Sequence, residues 1–170
     1  GGYRALGRLY RGIICNDLRQ YVMLGDAGAM TDNVIGNADD RWVFTEDNPS
    51  RELSTAAALA TVSRVLKGFN DTLSVQSLQA ARELFDRTRV TDRSEINKLQ
   101  AAVELYLATH EDGYKKYILG QQKLIVDNIA RTGWFIGRAD QAIKDKKFTE
   151  NIRKALAAFR RELEEQKKET

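Results

Sequence analysis

Asn48-Pro-Ser-Arg-Glu-Leu-Ser-Thr-Ala-Ala-Ala-Leu-Ala-Thr-Val-Ser-Arg-Val-Leu-Lys67 is the stretch whose reading decides the fold. Asn48 can cap a helix, Pro49 suits a first turn where its missing N–H is not needed, and Gly68 ends the run. From Ser54 to Val65 the single charge is Arg64; the other residues are Ala, Leu, Val, Ser and Thr. A surface helix carries a broad charged face, so this one is expected to be enclosed on most sides. Its small side chains allow neighbouring helices to approach closely. Ser54 and Thr55 stand towards the positive end of its dipole, and a long polar loop leads into that end.

The rest of the chain after Gly68 reads as helices. Asp71 can cap a helix with Val75, Leu78, Ala81, Leu84 and Phe85 on one face and polar residues elsewhere. Residues 94–109 are crowded with apolar side chains, as is the run from Trp134 to Ile143. The stretch from Gly113 is mixed and broken near Gly120, and Phe148, Ile152, Ala155, Leu156, Phe159 and Leu163 recur at helical spacing. Enclosed and amphipathic helices therefore alternate. Helical hairpins stacked side by side give that order, each placing one helix in an inner and one in an outer layer. The fold class is all-α, of the two-layered toroid or solenoid kind, with a loop-rich segment over 1–49 and helical hairpins over 50–170. No short motif recurs at a fixed period, which disfavours tetratricopeptide-like arrays.

The first part is less regular. Residues 1–23 are apolar and basic with partly helical spacing broken by Gly7 and Gly12, and no convincing series of strands is found. Residues 25–47 contain several Asp and Gly residues, with Trp42, Val43 and Phe44 expected to anchor an ordered loop.

At 170 residues the chain is one domain or a large piece of one. Its hydrophobic fraction of 42% and charged fraction of 30% are ordinary for a globular protein. No apolar run approaches the roughly 20 residues that cross a bilayer. The net charge of +3 comes from 27 basic and 24 acidic residues in mixed order, without the basic stripe of a nucleic-acid binder. The run Lys144-Asp-Lys-Lys147 reads as a solvated turn. One cysteine, Cys15, reads as a core residue and excludes an internal disulfide or a multi-cysteine metal site; one histidine, His110, reads as a helix C-cap. Tyr106, Tyr114 and Tyr117 read as packing residues. No metal or cofactor is expected.

The polar loop offers more chemistry. Asp39, Asp40, Glu46 and Asp47 surround Arg41 and Trp42 just before the helix. Carboxylates and Arg can hydrogen-bond sugar hydroxyls while an indole covers the C–H face of the ring, so Asp39, Asp40, Arg41, Trp42 and Glu46 are candidate saccharide contacts. A surface loop anchored by Trp42, with Asp40–Arg41 a solvated pair, is the plainer reading of the same residues.

Taken together, Gly1-Gly-Tyr3, Asp40-Arg-Trp-Val-Phe-Thr-Glu46, Leu53–Lys67, Leu99–Thr109 with Tyr114-Lys-Lys-Tyr117, and the run from Trp134 to Glu165 resemble the catalytic domain of family 9 glycoside hydrolases, the cellulase family. The resemblance implies an (α/α)6 toroid with its cleft at the N-terminal ends of the inner helices, and a secreted or periplasmic bacterial enzyme. It also implies an inverting mechanism, in which one carboxylate activates water and another protonates the leaving oxygen. The family's base belongs to an Asp-Ala-Gly-Asp motif. Asp26-Ala-Gly-Ala29 has alanine at the decisive place. Both catalytic carboxylates are therefore expected outside this chain, which would be an internal portion of the domain, inactive alone and prone to self-association. Its expected partners are an oligosaccharide or polysaccharide and the remainder of the same domain. The alternatives are a non-catalytic helical interaction domain whose Trp42 loop binds a protein, or a different (α/α)6 enzyme such as an unsaturated glucuronyl hydrolase.

Overall fold

A computed structural model describes residues 10–15, 41–45 and 48–168. The chain divides into two units, Gly1–Asn48 and Pro49–Thr170.

In the first unit, strands β1 (Tyr10–Cys15) and β2 (Arg41–Thr45) form an antiparallel pair, with Ile13 opposite Val43 and Ile14 opposite Trp42. The register shifts between Tyr10 and Gly12. This corrects two expectations: the partly helical spacing around Ile13 and Ile14 belongs to a strand, and Trp42, Val43 and Phe44 are strand rather than loop. β-branched and aromatic residues suit a pleated ladder. The partner lies well over twenty residues away in sequence, where local periodicity cannot reveal it.

The second unit is all-α. Its described residues form seven helices, α1 (Pro49–Leu66), α2 (Asp71–Arg87), α3 (Glu95–Thr109), α4 (Asp112–Gly120), α5 (Gln122–Asp127), α6 (Ile129–Ile143) and α7 (Lys146–Gln166). Pro49 is the first residue of α1, and Gly68 at φ 80° turns the chain out of it. Asn70, not Asp71, caps α2: its Oδ1 accepts from the Leu73 N–H at 3.1 Å, while Asp71 Oδ1 accepts from the Gly68 N–H at 2.7 Å. His110 ends α3 in the left-handed region at φ 57°, its N–H donating to the Tyr106 carbonyl. The expected break near Gly120 separates α4 from α5. Lys144, at φ 52°, and Asp145, whose Oδ1 accepts from the Phe148 N–H, form the turn between α6 and α7.

α3 is the centre of the unit and packs against α1, α2, α4 and α6. Leu99, Ala101, Ala102, Val103 and Leu105 have no solvent exposure at all. Side-chain pairs fix the directions. Ser54 and Thr61 of α1 meet Asn97 and Glu104 of α3, while Arg138 and the Ala142 carbonyl of α6 meet Glu104 and Tyr106. Advancing along one helix advances along its neighbour, so α1, α3 and α6 run parallel. α2, the broken pair α4 and α5, and α7 are the returns. α2 lies against α1 and α3, α4 against α3, and α7 against α5 and α6.

Burial of α1 is less complete than its composition suggests. Leu53, Ala56, Ala57 and Ala60 are buried, whereas Ser54, Ala58, Val62 and Val65 form an exposed stripe. On α2, Ala81, Leu84 and Phe85 are buried, but Val75 is exposed, and Ser74 takes the inward place by donating to the Ser63 carbonyl at 2.7 Å. Side chains at 0% exposure such as Leu84, Leu99, Leu105, Ile118 and Ile136 each contribute roughly 1.5–3 kcal/mol of apolar transfer free energy. None of the described helices is long and apolar enough to cross a membrane.

Candidate functional site

Of the residues expected to contact a saccharide, Arg41 and Trp42 are neighbours on β2, paired with Cys15 and Ile14. Asp39, Asp40 and Glu46 lie outside the described residues, as does Asp26-Ala-Gly-Ala29.

The most developed polar constellation lies across the three parallel helices. Glu104, halfway along α3, is 2% exposed. Burying a carboxylate is costly unless it is paired and hydrogen-bonded. Here Oε2 accepts from Arg64 Nη2 of α1 at 2.7 Å and from Thr61 Oγ1 at 3.0 Å, while Oε1 accepts from Arg138 Nη2 of α6. The guanidinium of Arg138 in turn lies over the Trp134 ring, 5.2 Å from its centroid. One carboxylate thus joins three helices, and the charge that attracts both arginines also holds them side by side. Arg64 and Arg138 keep 36% and 42% of their side-chain surface in solvent, and Trp134 keeps 61%, so the cluster has a buried root and an open edge.

Sequence reasoning missed this cluster, although the signal was present. Arg64 is the lone charge of the Ser54–Val65 run, and Glu104 is the lone charge of the Leu99–Thr109 run. Two apolar runs each holding one charge of opposite sign are candidates for pairing.

Towards the N-terminal ends of α1 and α3 the contacts are also polar. Asn97 Nδ2 donates to Ser54 Oγ at 2.8 Å, and Ser50 Oγ donates to the Arg93 carbonyl at 3.3 Å. Glu52, buried in the first turn of α1, accepts from Thr88 Oγ1 at 3.0 Å and lies 3.9 Å from Arg87. These contacts register α1 against α3 and the end of α2.

The remaining polar groups in the interior are packing devices. Lys98 Nζ donates to the Phe85 carbonyl in the last turn of α2 and lies 3.6 Å above the Phe85 ring; burial lowers its pKa, partly offset by Asp86. Tyr114 and Tyr117 meet Phe85 edge-on with centroids 5.4 and 5.9 Å away, and burial raises both of their pKa values. The Tyr106 hydroxyl donates to the Ala142 carbonyl and its ring meets His110 edge-on. Among the described residues no group of three or more His, Cys, Asp or Glu is placed to hold a metal ion.

Compared with protein-family models, curated proteins and solved structures, the chain matches none of them.

Proposed function

We propose that the chain is an internal portion of a β-glycan-cleaving glycoside hydrolase, with α1, α3 and α6 as inner helices of an (α/α)6 toroid. The observation that supports this most is the parallel row of α1, α3 and α6, each followed by an antiparallel return. A toroid repeats that unit and gathers the N-terminal ends of its inner helices on one side. Arg41, Trp42, Asp39, Asp40 and Glu46 are proposed rim contacts for the sugar. The acid and base of an inverting reaction are not assigned to residues of this chain. Glu104 in particular is 2% exposed with both oxygens engaged by Arg64, Thr61 and Arg138, the setting of an ionic anchor rather than of a group open to substrate. Such an enzyme works outside the bacterial cytoplasm.

The reading is tested by reducing-sugar release from soluble β-glucan. The complete gene product is expected to release sugar and the 170-residue chain is not. Turnover by the chain alone contradicts the placement of the carboxylates, and no release by the complete product contradicts the activity. A helical interaction domain is the second reading, favoured by Val65 at 72% and Phe69 at 88% exposure on the outside of α1 and its following turn.

A further inference from the structure

The turn that joins α1 to α2 carries the most exposed large apolar side chain among the described residues, Phe69 at 88%. Val65 and Leu73, four residues before and after it, are exposed as well. The turn is held from within. Gly68 takes φ 80°, the N–H groups of Phe69 and Asn70 donate to the Leu66 carbonyl, and Asp71 Oδ1 accepts from the Gly68 N–H. A phenyl ring is thus offered to solvent on a fixed support, which lowers the ordering cost of docking it. Aromatic anchors of this kind carry most of the binding energy where a pocket receives them.

Such a pocket lies beside the same turn. A groove of about 370 Å³ opens between α1, α2 and the C-terminal end of α3, with Val75, Leu78, Leu107 and Ala108 as its apolar lining and Lys67 and Asp71 among its polar residues. Phe69 is not part of its own groove.

The charges around the ring decide what fits. Lys67 and Asp71 stand two residues before and after Phe69, carry opposite charges and are both exposed. Lys67 forms no ion pair among the described residues, and Asp71 keeps a second carboxylate oxygen beyond its bond to Gly68. A ring flanked by a cation on one side and an anion on the other, turned by a two-fold axis, sets its lysine against Asp71 and its aspartate against Lys67. The turn itself is such a ring. The apolar flanks obey the same symmetry, because Val65 and Leu73 exchange places about Phe69. A patch complementary to its own image is what an isologous two-fold interface requires.

We propose that this face pairs two copies of the chain. Phe69 of each copy enters the groove of the other, and Lys67 and Asp71 meet the partner's Asp71 and the partner's Lys67. The pairing goes beyond the glycan reading and does not rest on it.

The test is sedimentation equilibrium of the full chain, which is expected to show a monomer–dimer equilibrium. Phe69→Ser is expected to weaken the dimer by about thirtyfold or more. Lys67→Glu, which leaves the hydrogen bonds of the turn intact, is expected to weaken it by about tenfold or more, as is Asp71→Lys. Mixing these two charge variants again sets opposite charges against each other at both contacts, so they are expected to dimerise with each other about tenfold more tightly than either does with itself. Circular dichroism confirms that the variants are folded; if Asp71→Lys is not, Phe69→Ser and Lys67→Glu decide alone. A chain that stays monomeric at about 1 mM overturns the proposal and leaves the face to a different partner. Association unchanged by Phe69→Ser or by Lys67→Glu overturns it in favour of an interface elsewhere, and folded charge variants that do not dimerise with each other overturn the two-fold pairing.

Discussion

Replacing Glu104 by Gln removes the charge that joins α1, α3 and α6 while keeping the size of the side chain. The variant loses two charge-assisted hydrogen bonds, from Arg64 and Arg138, and leaves an amide NH2 facing a guanidinium. Bonds to charged groups contribute roughly 1.5–3 kcal/mol each, and breaking a buried ion pair costs about 3–5 kcal/mol in all. Arg64 and Arg138 are 36% and 42% exposed, so water recovers part of their solvation and the lower end applies, about 3 kcal/mol. For a unit of this size each kcal/mol moves the melting midpoint by about 4 °C, which gives a fall of about 12 °C. Thermal unfolding followed by far-UV circular dichroism reads this directly, and urea unfolding supplies the free energy. Arg138→Gln on its own is expected to cost less than Glu104→Gln, because Arg64 still pairs the carboxylate. A fall below about 1 kcal/mol for Glu104→Gln would refute the clamp, since exposed ion pairs contribute no more than that.

Alkaline pH tests the aromatic cluster. Burial raises the folded-state pKa of Tyr114 and Tyr117 above their ordinary 10.0, so their stabilisation is complete below that pH and is lost as pH rises through the folded values. Tyr117→Phe should make the decline of the urea midpoint above pH 10.0 shallower. Lys98 carries the opposite sign. Its pKa lies below 10.5, so the cost of burying its ammonium fades as pH rises through the folded value towards 10.5, and Lys98→Met should remove that upward component. Two glycines should respond in opposite directions: Gly137→Ala, with nothing within 4 Å of the added methyl, is expected to stabilise by about 0.5–1 kcal/mol, and Gly68→Ala, at φ 80°, to destabilise by about 1 kcal/mol in urea titrations. Val65→Ser with Phe69→Ser should reduce self-association in analytical ultracentrifugation while changing stability by less than about 0.5 kcal/mol.

The helical half was legible because its signals are local. Apolar periodicity, Pro49 at a first turn, Gly68 after a last one and the break at Gly120 are properties of neighbouring residues. The alternation of apolar-rich and amphipathic segments was enough to anticipate an all-α chain of successive helices. Val75 shows where pattern fails: it fits the apolar face of α2, yet the inward place goes to Ser74, whose hydroxyl finds the Ser63 carbonyl. The β1–β2 pair was not legible, because each strand carries only half of the information and hydrogen bonds join segments distant in sequence. The Glu104 cluster was missed for a related reason. Arg64 and Glu104 stand out as lone charges in their runs, yet nothing local pairs them, and with Arg138 they acquire meaning only when three helices bring them to one point.

The junction of Arg64, Glu104 and Arg138 requires α1, α3 and α6 to run in the same direction. Cross-linking measures that arrangement: with Cys15 replaced by Ser, cysteines introduced at Ser54 and Asn97, whose side-chain atoms lie 2.8 Å apart, should form a disulfide on mild oxidation. A pair at Ser54 and Ala108, at opposite ends of parallel α1 and α3, should not. Cross-linking of Ser54 to Ala108 instead of Asn97 would mean that the helices run antiparallel, and the arginine cluster could not assemble as described.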